Sequence, residues 1–94
     1  MPSQPTFEQF RTTMLADGYD EVLERVWAPG TVLETHTHPF EANAVVVQGE
    51  MWLAVENGEA KGLLTGDRFH LQADVPHSER YGPEGATYWV ARRG

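Results

Sequence analysis

Four histidines stand at positions 36, 38, 70 and 77, and the first two are separated by one residue. In an extended strand, residues i and i+2 point to the same face. His36 and His38 can therefore turn both imidazoles toward one point, and two ring nitrogens there can reach one ion at about 2.0–2.1 Å. A third imidazole from another strand would complete a facial set with open positions opposite. Such a set takes Fe²⁺, Zn²⁺, Mn²⁺ or Ni²⁺, and its open positions accept water, O₂ or substrate. A histidine pair at this spacing is common by chance, so its weight depends on the elements that carry it.

Those elements read as one helix followed by strands. Phe7, Phe10, Met14 and Leu15 make one apolar stripe at helical spacing, predicting a helix over 6–17 that packs on a sheet. Thr6 with Gln9 resembles a capping box, and Gly18 suits a helix stop. After Gly18 the helical period gives way to short β-type runs, roughly 20–27, 31–37, 43–48, 51–56, 59–64, 68–72, 77–82 and 86–92. Turn residues separate them: Pro29-Gly30, Gln48-Gly49, Asn57-Gly58, Thr65-Gly66-Asp67 and Pro83-Glu84-Gly85. Eight strands packed this closely leave no room for crossover helices, so the sheet is expected to be antiparallel. The expectation is an all-β barrel over about 20–92 with one short N-terminal helix, forming a single domain over 1–94.

Bulk properties narrow the partners. The chain has 94 residues and a formal charge of −7, with 7 Lys and Arg against 14 Asp and Glu. A chain this acidic is repelled by a phosphate backbone or an anionic bilayer, which argues against nucleic acid and membrane as direct partners. Cysteine is absent, which removes disulfides, thiolate ligands and cysteine nucleophiles and fits a reducing cytoplasm. The opening Met1-Pro2-Ser3-Gln4-Pro5 has neither the basic start nor the apolar run of a signal peptide.

Two glycine-anchored segments give the histidines their context. The first runs Gly30, five residues, His36-Thr37-His38, ten residues, Gly49. The second runs Gly66, five residues, Gln72, four residues, His77, three residues, Tyr81. Over about 26–91 the chain resembles the small single-domain cupins, whose two motifs carry a His-x-His pair and a later histidine at these positions. The resemblance implies a double-stranded β-helix, or jelly-roll, barrel. It implies one divalent transition metal in the barrel mouth on His36, His38 and His77, and it suggests a homodimer. The chain departs from the motifs at three places. The first motif's glutamate falls on Ala42, the second motif's proline on Gln72 and its asparagine on Tyr81. Glu41 is one step from the missing carboxylate, and only a bulge or an altered loop after Pro39 would turn it inward as a fourth ligand, because a one-residue slip reverses a strand side chain. Without it, three neutral nitrogens leave the ion its full charge, which strengthens it as a Lewis acid.

Glu79 follows His77 by two residues, so a regular strand points both, and Tyr81, into the cavity. Glu79 could serve as a catalytic acid or base, or as a substitute ligand; it could equally be a rim residue paired with an arginine. Alternation turns His70 outward if Phe69 and Leu71 face inward. Tyr88 and Trp89 must face opposite ways, one toward the pocket and the other toward the helix or a dimer contact. Two functions suit a filled site: a metal-dependent enzyme of dioxygenase or isomerase type acting on a small organic molecule, or a non-catalytic module that binds or senses a small ligand. A purely structural barrel with an empty site is the third reading.

Overall fold

The computed structural model describes residues 6–94; the opening segment read above against a signal peptide lies outside them. Helix α1 (Phe7–Ala16) starts on the capping box expected for it. The Thr6 side chain accepts from the Gln9 backbone at 3.1 Å and the Gln9 side chain accepts from the Thr6 backbone at 2.8 Å. Its stripe buries Phe10 and Met14 with Val45 and Ala91 of the sheet, and the Trp89 ring lies 5.6 Å from Phe7 and 5.9 Å from Phe10. Trp89 is thus the member of the Tyr88–Trp89 pair that serves the helix. No helix among the described residues is long and apolar enough to cross a membrane.

Six strands follow: β1 (Glu21–Trp27), β2 (Val32–His36), β3 (Glu41–Val55), β4 (Lys61–Leu64), β5 (Arg68–Leu71) and β6 (His77–Arg93). All their pairings are antiparallel. The sequence pattern suggested eight strands, but the runs 43–48 and 51–56 join as β3, and 77–82 and 86–92 join as β6. Gln48-Gly49 and Pro83-Glu84-Gly85 are corners of the barrel rather than hairpin turns. The β3–β6 register shifts between Val46 and Gln48 and again between Gly49 and Met51, so both ribbons bend without parting. Two glycines make this bend sterically feasible. A Cβ on Gly49 (φ +81°) would lie 2.2 Å from the Gly85 carbonyl oxygen, and one on Gly85 (φ +73°) would lie 2.3 Å from that of Trp27.

The two long strands therefore run through both halves of the barrel. In one half β1 pairs β6 from Ala86 to Arg92, and β5 pairs β3 from Ala42 to Val45. In the other half β2 pairs the start of β6, and β4 pairs β3 from Glu50 to Leu53. Inward residues of both halves, including Val46, Met51, Leu63 and Tyr81, make the main core. The β3–β4 turn falls one residue earlier than Asn57-Gly58: Glu56 and Asn57 take the positive φ values of 52° and 64°. The Glu56 amide donates to the Pro76 carbonyl at 2.9 Å, which holds that conformation in place.

Candidate metal centre

His36 and His77 face each other across the β2–β6 ladder, where their Cα atoms are paired. The pairing follows from a register shift in β2 between Leu33 and His36, which re-aims the end of the strand. Beyond the strand, His38 is tied down by its own carbonyl, which accepts from the Asp74 amide at 2.8 Å. The three rings have centroids 4.4–5.1 Å apart, and one nitrogen from each lies within 4.8 Å of the others. The structure thus gathers the three histidines that the motifs single out.

Backbone contacts orient two of the rings. His36 Nδ1 lies 2.6 Å from the Glu34 carbonyl oxygen and His77 Nδ1 2.9 Å from that of Val75. A carbonyl can only accept, so each Nδ1 carries a proton, and in the neutral ring Nε2 presents its lone pair to the cavity. Such second contacts select the tautomer that binds a metal. The His38 ring stacks on Phe40, 4.8 Å between centroids, and burial followed by the neighbouring His36 and His77 pushes its pKa down. Neutral imidazole is the form that ligates.

Glu79 lies beside this group. It is 6% exposed, and its Oε2 lies 3.5 Å from His36 Nε2 and 3.6 Å from His77 Nε2. Among the described residues no arginine pairs with it; its Oε1 accepts from the Tyr81 hydroxyl instead. With both rings neutral, two nitrogen lone pairs face a carboxylate oxygen with no donor between them, an arrangement that a cation would satisfy. The three histidines suit one, since their nitrogens lie within 4.8 Å of one another and modest side-chain shifts reach the separation of about 3.4 Å between donors 2.0–2.1 Å from a tetrahedral ion. The donor chemistry of the residues present therefore fits a divalent metal.

Glu41 does not join this group. Ala42 lines the cavity, and alternation along β3 puts Glu41 on the opposite face. No bulge intervenes between them and the β6 partners Arg93 and Arg92, so the expectation that Glu41 might be turned inward as a ligand is corrected. Its Oε1 accepts from Arg93 Nε at 2.8 Å and its Oε2 lies 2.5 Å from His70 Nε2. These two hydrogen bonds, Arg93 foremost, pull the Glu41 carboxyl down to about 2. His70 faces outward, as alternation about the cavity-lining Phe69 and Leu71 requires.

The triad opens into a cavity of about 530 Å³, counting its solvent-open mouth. Its walls are largely apolar, with Leu33, Phe69, Leu71 and Val90 prominent. Trp27 and Tyr88 also line it; Trp27 stacks on Tyr81 at 5.1 Å, and burial first, then Glu79, pushes the Tyr88 hydroxyl up. Trp52 lies outside, under the Arg80 guanidinium. Sequence reasoning missed Arg25 and Arg92, which also line the cavity. Their positions were available in the alternation: Arg25 precedes Trp27 by two residues, and Arg92 follows Tyr88 and Val90 at the same spacing.

Comparison with known proteins agrees with this architecture. The family model Cupin_2, described as a cupin domain, matches residues 23–90. The chain belongs to the cupin family. No curated protein matches it. Among solved structures, one of the DMSP lyases RdDddP and RnDddQII is 26% identical with a TM-score of 0.71, over 78% of this chain and 37% of that one. An RmlC-like cupin from Shewanella frigidimarina is 23% identical with a TM-score of 0.66, over 78% and 65%. The Cupin_2 domain of an XRE family transcriptional regulator from Enterobacter cloacae is 19% identical with a TM-score of 0.65, over 78% and 79%. This cupin thus spans well under half of the lyase chain that it matches, and the latter two likenesses bear on the fold alone.

Proposed function

We propose that this cupin is a metal-dependent enzyme acting on a small organic molecule, with one divalent transition metal (Fe, Zn, Mn or Ni) on His36, His38 and His77. The observation that carries the reading is the gathering of His36, His38 and His77, one nitrogen of each within 4.8 Å of the others, with Glu79 Oε2 3.5–3.6 Å from two of them. When bound, the ion would supply Lewis acidity to an oxygen of the substrate or to water. Glu79 Oε2 faces the same space and is the atom placed to take a proton from the substrate and return it. Tyr81 holds the other carboxylate oxygen and so aims Oε2. The apolar walls of the cavity exclude bulk water from the exchange. Proton transfer of this kind suits isomerisation or elimination, and the likeness to a DMSP lyase supports that class over dioxygenation.

Elemental analysis of protein expressed without metal supplementation is the first test, and near-stoichiometric metal is the expected result. Turnover of a panel of small enolisable acids and ketones is the second. Glu79→Gln should lower kcat by about 10²-fold or more while the metal stays, the usual effect of losing a general base. Metal without turnover of any compound, but with tight ligand binding, would favour a sensing module instead.

A further inference from the structure

The three imidazoles are not held alike. His36 and His77 each set Nδ1 against a backbone carbonyl, whereas the His38 ring makes no hydrogen bond among the described residues. The His38 backbone is tied to Asp74, but that bond leaves the side-chain torsions free. What the ring does have is Phe40. The two rings stack with centroids 4.8 Å apart and 13° between their planes. The run His38-Pro39-Phe40 builds this contact locally. Proline fixes its own φ and keeps the residue before it extended, and residues i and i+2 of an extended segment share a side. The Phe40 ring is steadied in turn. The Arg92 guanidinium lies 4.7 Å from its centroid, and Arg92 Nη2 lies 2.6 Å from Glu21 Oε1. An ion pair and a cation on an aromatic ring thus link β1, through β6, to the third imidazole.

We propose that Phe40 is a positioning residue of the metal site: its ring stands in for the carbonyl that His38 lacks, fixing the plane of the third imidazole without choosing its tautomer. A carbonyl does both, because it accepts from one ring nitrogen only. An aromatic face stacked parallel to the imidazole offers no acceptor in the plane of its N–H groups, so it orients and nothing more. In the metal-free protein His38 therefore exchanges between its two neutral tautomers, while His36 and His77 keep the proton on Nδ1. Phe40 bears on affinity because the donors are few. Ala42 supplies no fourth ligand, so three nitrogens carry the binding and misalignment of one is not masked. This inference rests on the metal site proposed above for its effect on binding, though not for the stack itself.

The test has a spectroscopic arm and a binding arm. Long-range ¹H–¹⁵N spectra of chelator-stripped protein are taken at about pH 8, above the ordinary imidazole range. They should show one tautomer for His36 and His77, averaged ring nitrogens for His38, and nuclear Overhauser contacts between the His38 and Phe40 rings. Zn²⁺ affinity is then measured by competition with a chromophoric chelator. Phe40→Leu keeps an apolar side chain but no stacking face, and should weaken Zn²⁺ at least about tenfold, the usual cost of losing a group that orients a ligand. Phe40→Tyr keeps the face and should bind within about twofold of wild type. Ring ¹³C relaxation of the stripped Phe40→Leu protein should show lower order at His38 alone; a general loss of packing would loosen His36 and His77 as well. If Phe40→Leu misfolds, the wild-type spectra and Phe40→Tyr carry the test. Equal Zn²⁺ affinity of wild type and Phe40→Leu overturns the proposal, as does a single tautomer at His38 or the absence of contacts between the two rings. A wild type that binds no Zn²⁺ would sink the metal-dependent reading instead. The His38 ring order in Phe40→Leu then decides this one, a fall confined to His38 supporting it and no change overturning it.

Discussion

Replacing Tyr81 with phenylalanine isolates the contact that aims Glu79. Both side chains are buried, 2% and 6% exposed, and the Tyr81 hydroxyl is the donor to Glu79 Oε1. Burial above all, with Tyr88 and Glu79 adding to it, pushes the Tyr81 pKa far up, so this hydroxyl stays a donor at any ordinary pH. The substitution removes one oxygen and little volume, so the cavity term is small. What it leaves is a carboxylate oxygen in an apolar setting without its partner. A hydrogen bond to such a group is worth about 1.5–3 kcal/mol. For a domain of this size each kcal/mol moves the melting temperature by about 4–8 °C, so Tyr81→Phe should melt about 6–24 °C lower. The melts belong in chelator, because a bound ion would add its own stabilisation to both proteins. Repeating the substitution in Glu79→Gln closes a double-mutant cycle, and the cost of losing the hydroxyl should shrink there. An unchanged melting temperature, or the same cost in both backgrounds, would show that the contact neither holds Glu79 nor stabilises the barrel.

Other expectations follow from the same geometry. His36→Ala should lose the metal, whereas Glu41→Gln should keep it at the wild-type level; elemental analysis decides, and loss in Glu41→Gln would return that carboxylate to the ligand set. The Glu41 carboxyl falls from an ordinary 4.5 to about 2 on folding, so its contribution to stability is present above pH 4.5 and is lost as pH falls toward 2. Wild type should therefore outlast Glu41→Gln at pH 6, and the gap in melting temperature should narrow steadily between pH 5 and pH 2.5. A gap that stays constant with pH would refute the pairing with Arg93 and His70. Gly85→Ala would place a methyl group 2.3 Å from the Trp27 carbonyl at φ +73°. Denaturant unfolding should show a loss of roughly 2–6 kcal/mol from backbone strain and overpacking together.

The sequence showed the fold class and the three histidines because both rest on local rules. Period-two spacing puts His36 and His38 on one side, and the glycine anchors locate His77. It also showed that Glu79 and Tyr81 share a face with His77. What it left open was set by long-range geometry. Whether Glu41 turns inward depends on a bulge, and the bulges of β3 occur instead around Gly49, where Gly85 crosses it. The same crossing made two expected turns into bends, because a glycine at a tight corner and a glycine in a turn look alike in sequence. Arg25 and Arg92 were legible as inward by alternation but not as lining one cavity, since 66 residues lie between them in the chain.

Strand β2 and the residues just after it bring two of the three imidazoles to the mouth, yet within the described residues the strand is hydrogen-bonded along one edge only, to β6, through Val32, Leu33 and His36. Strand β6, which carries the third, has a ladder on both sides over the same stretch. Amide hydrogens of β2 should therefore exchange through a small local opening, and those of β3 and β6 only through global unfolding. An ion held by His36, His38 and His77 would staple the weaker ribbon to the stronger one. Its affinity and the free energy of that opening are then one linked quantity, so slowed exchange in β2 alone reports occupancy of the site without any assay of turnover.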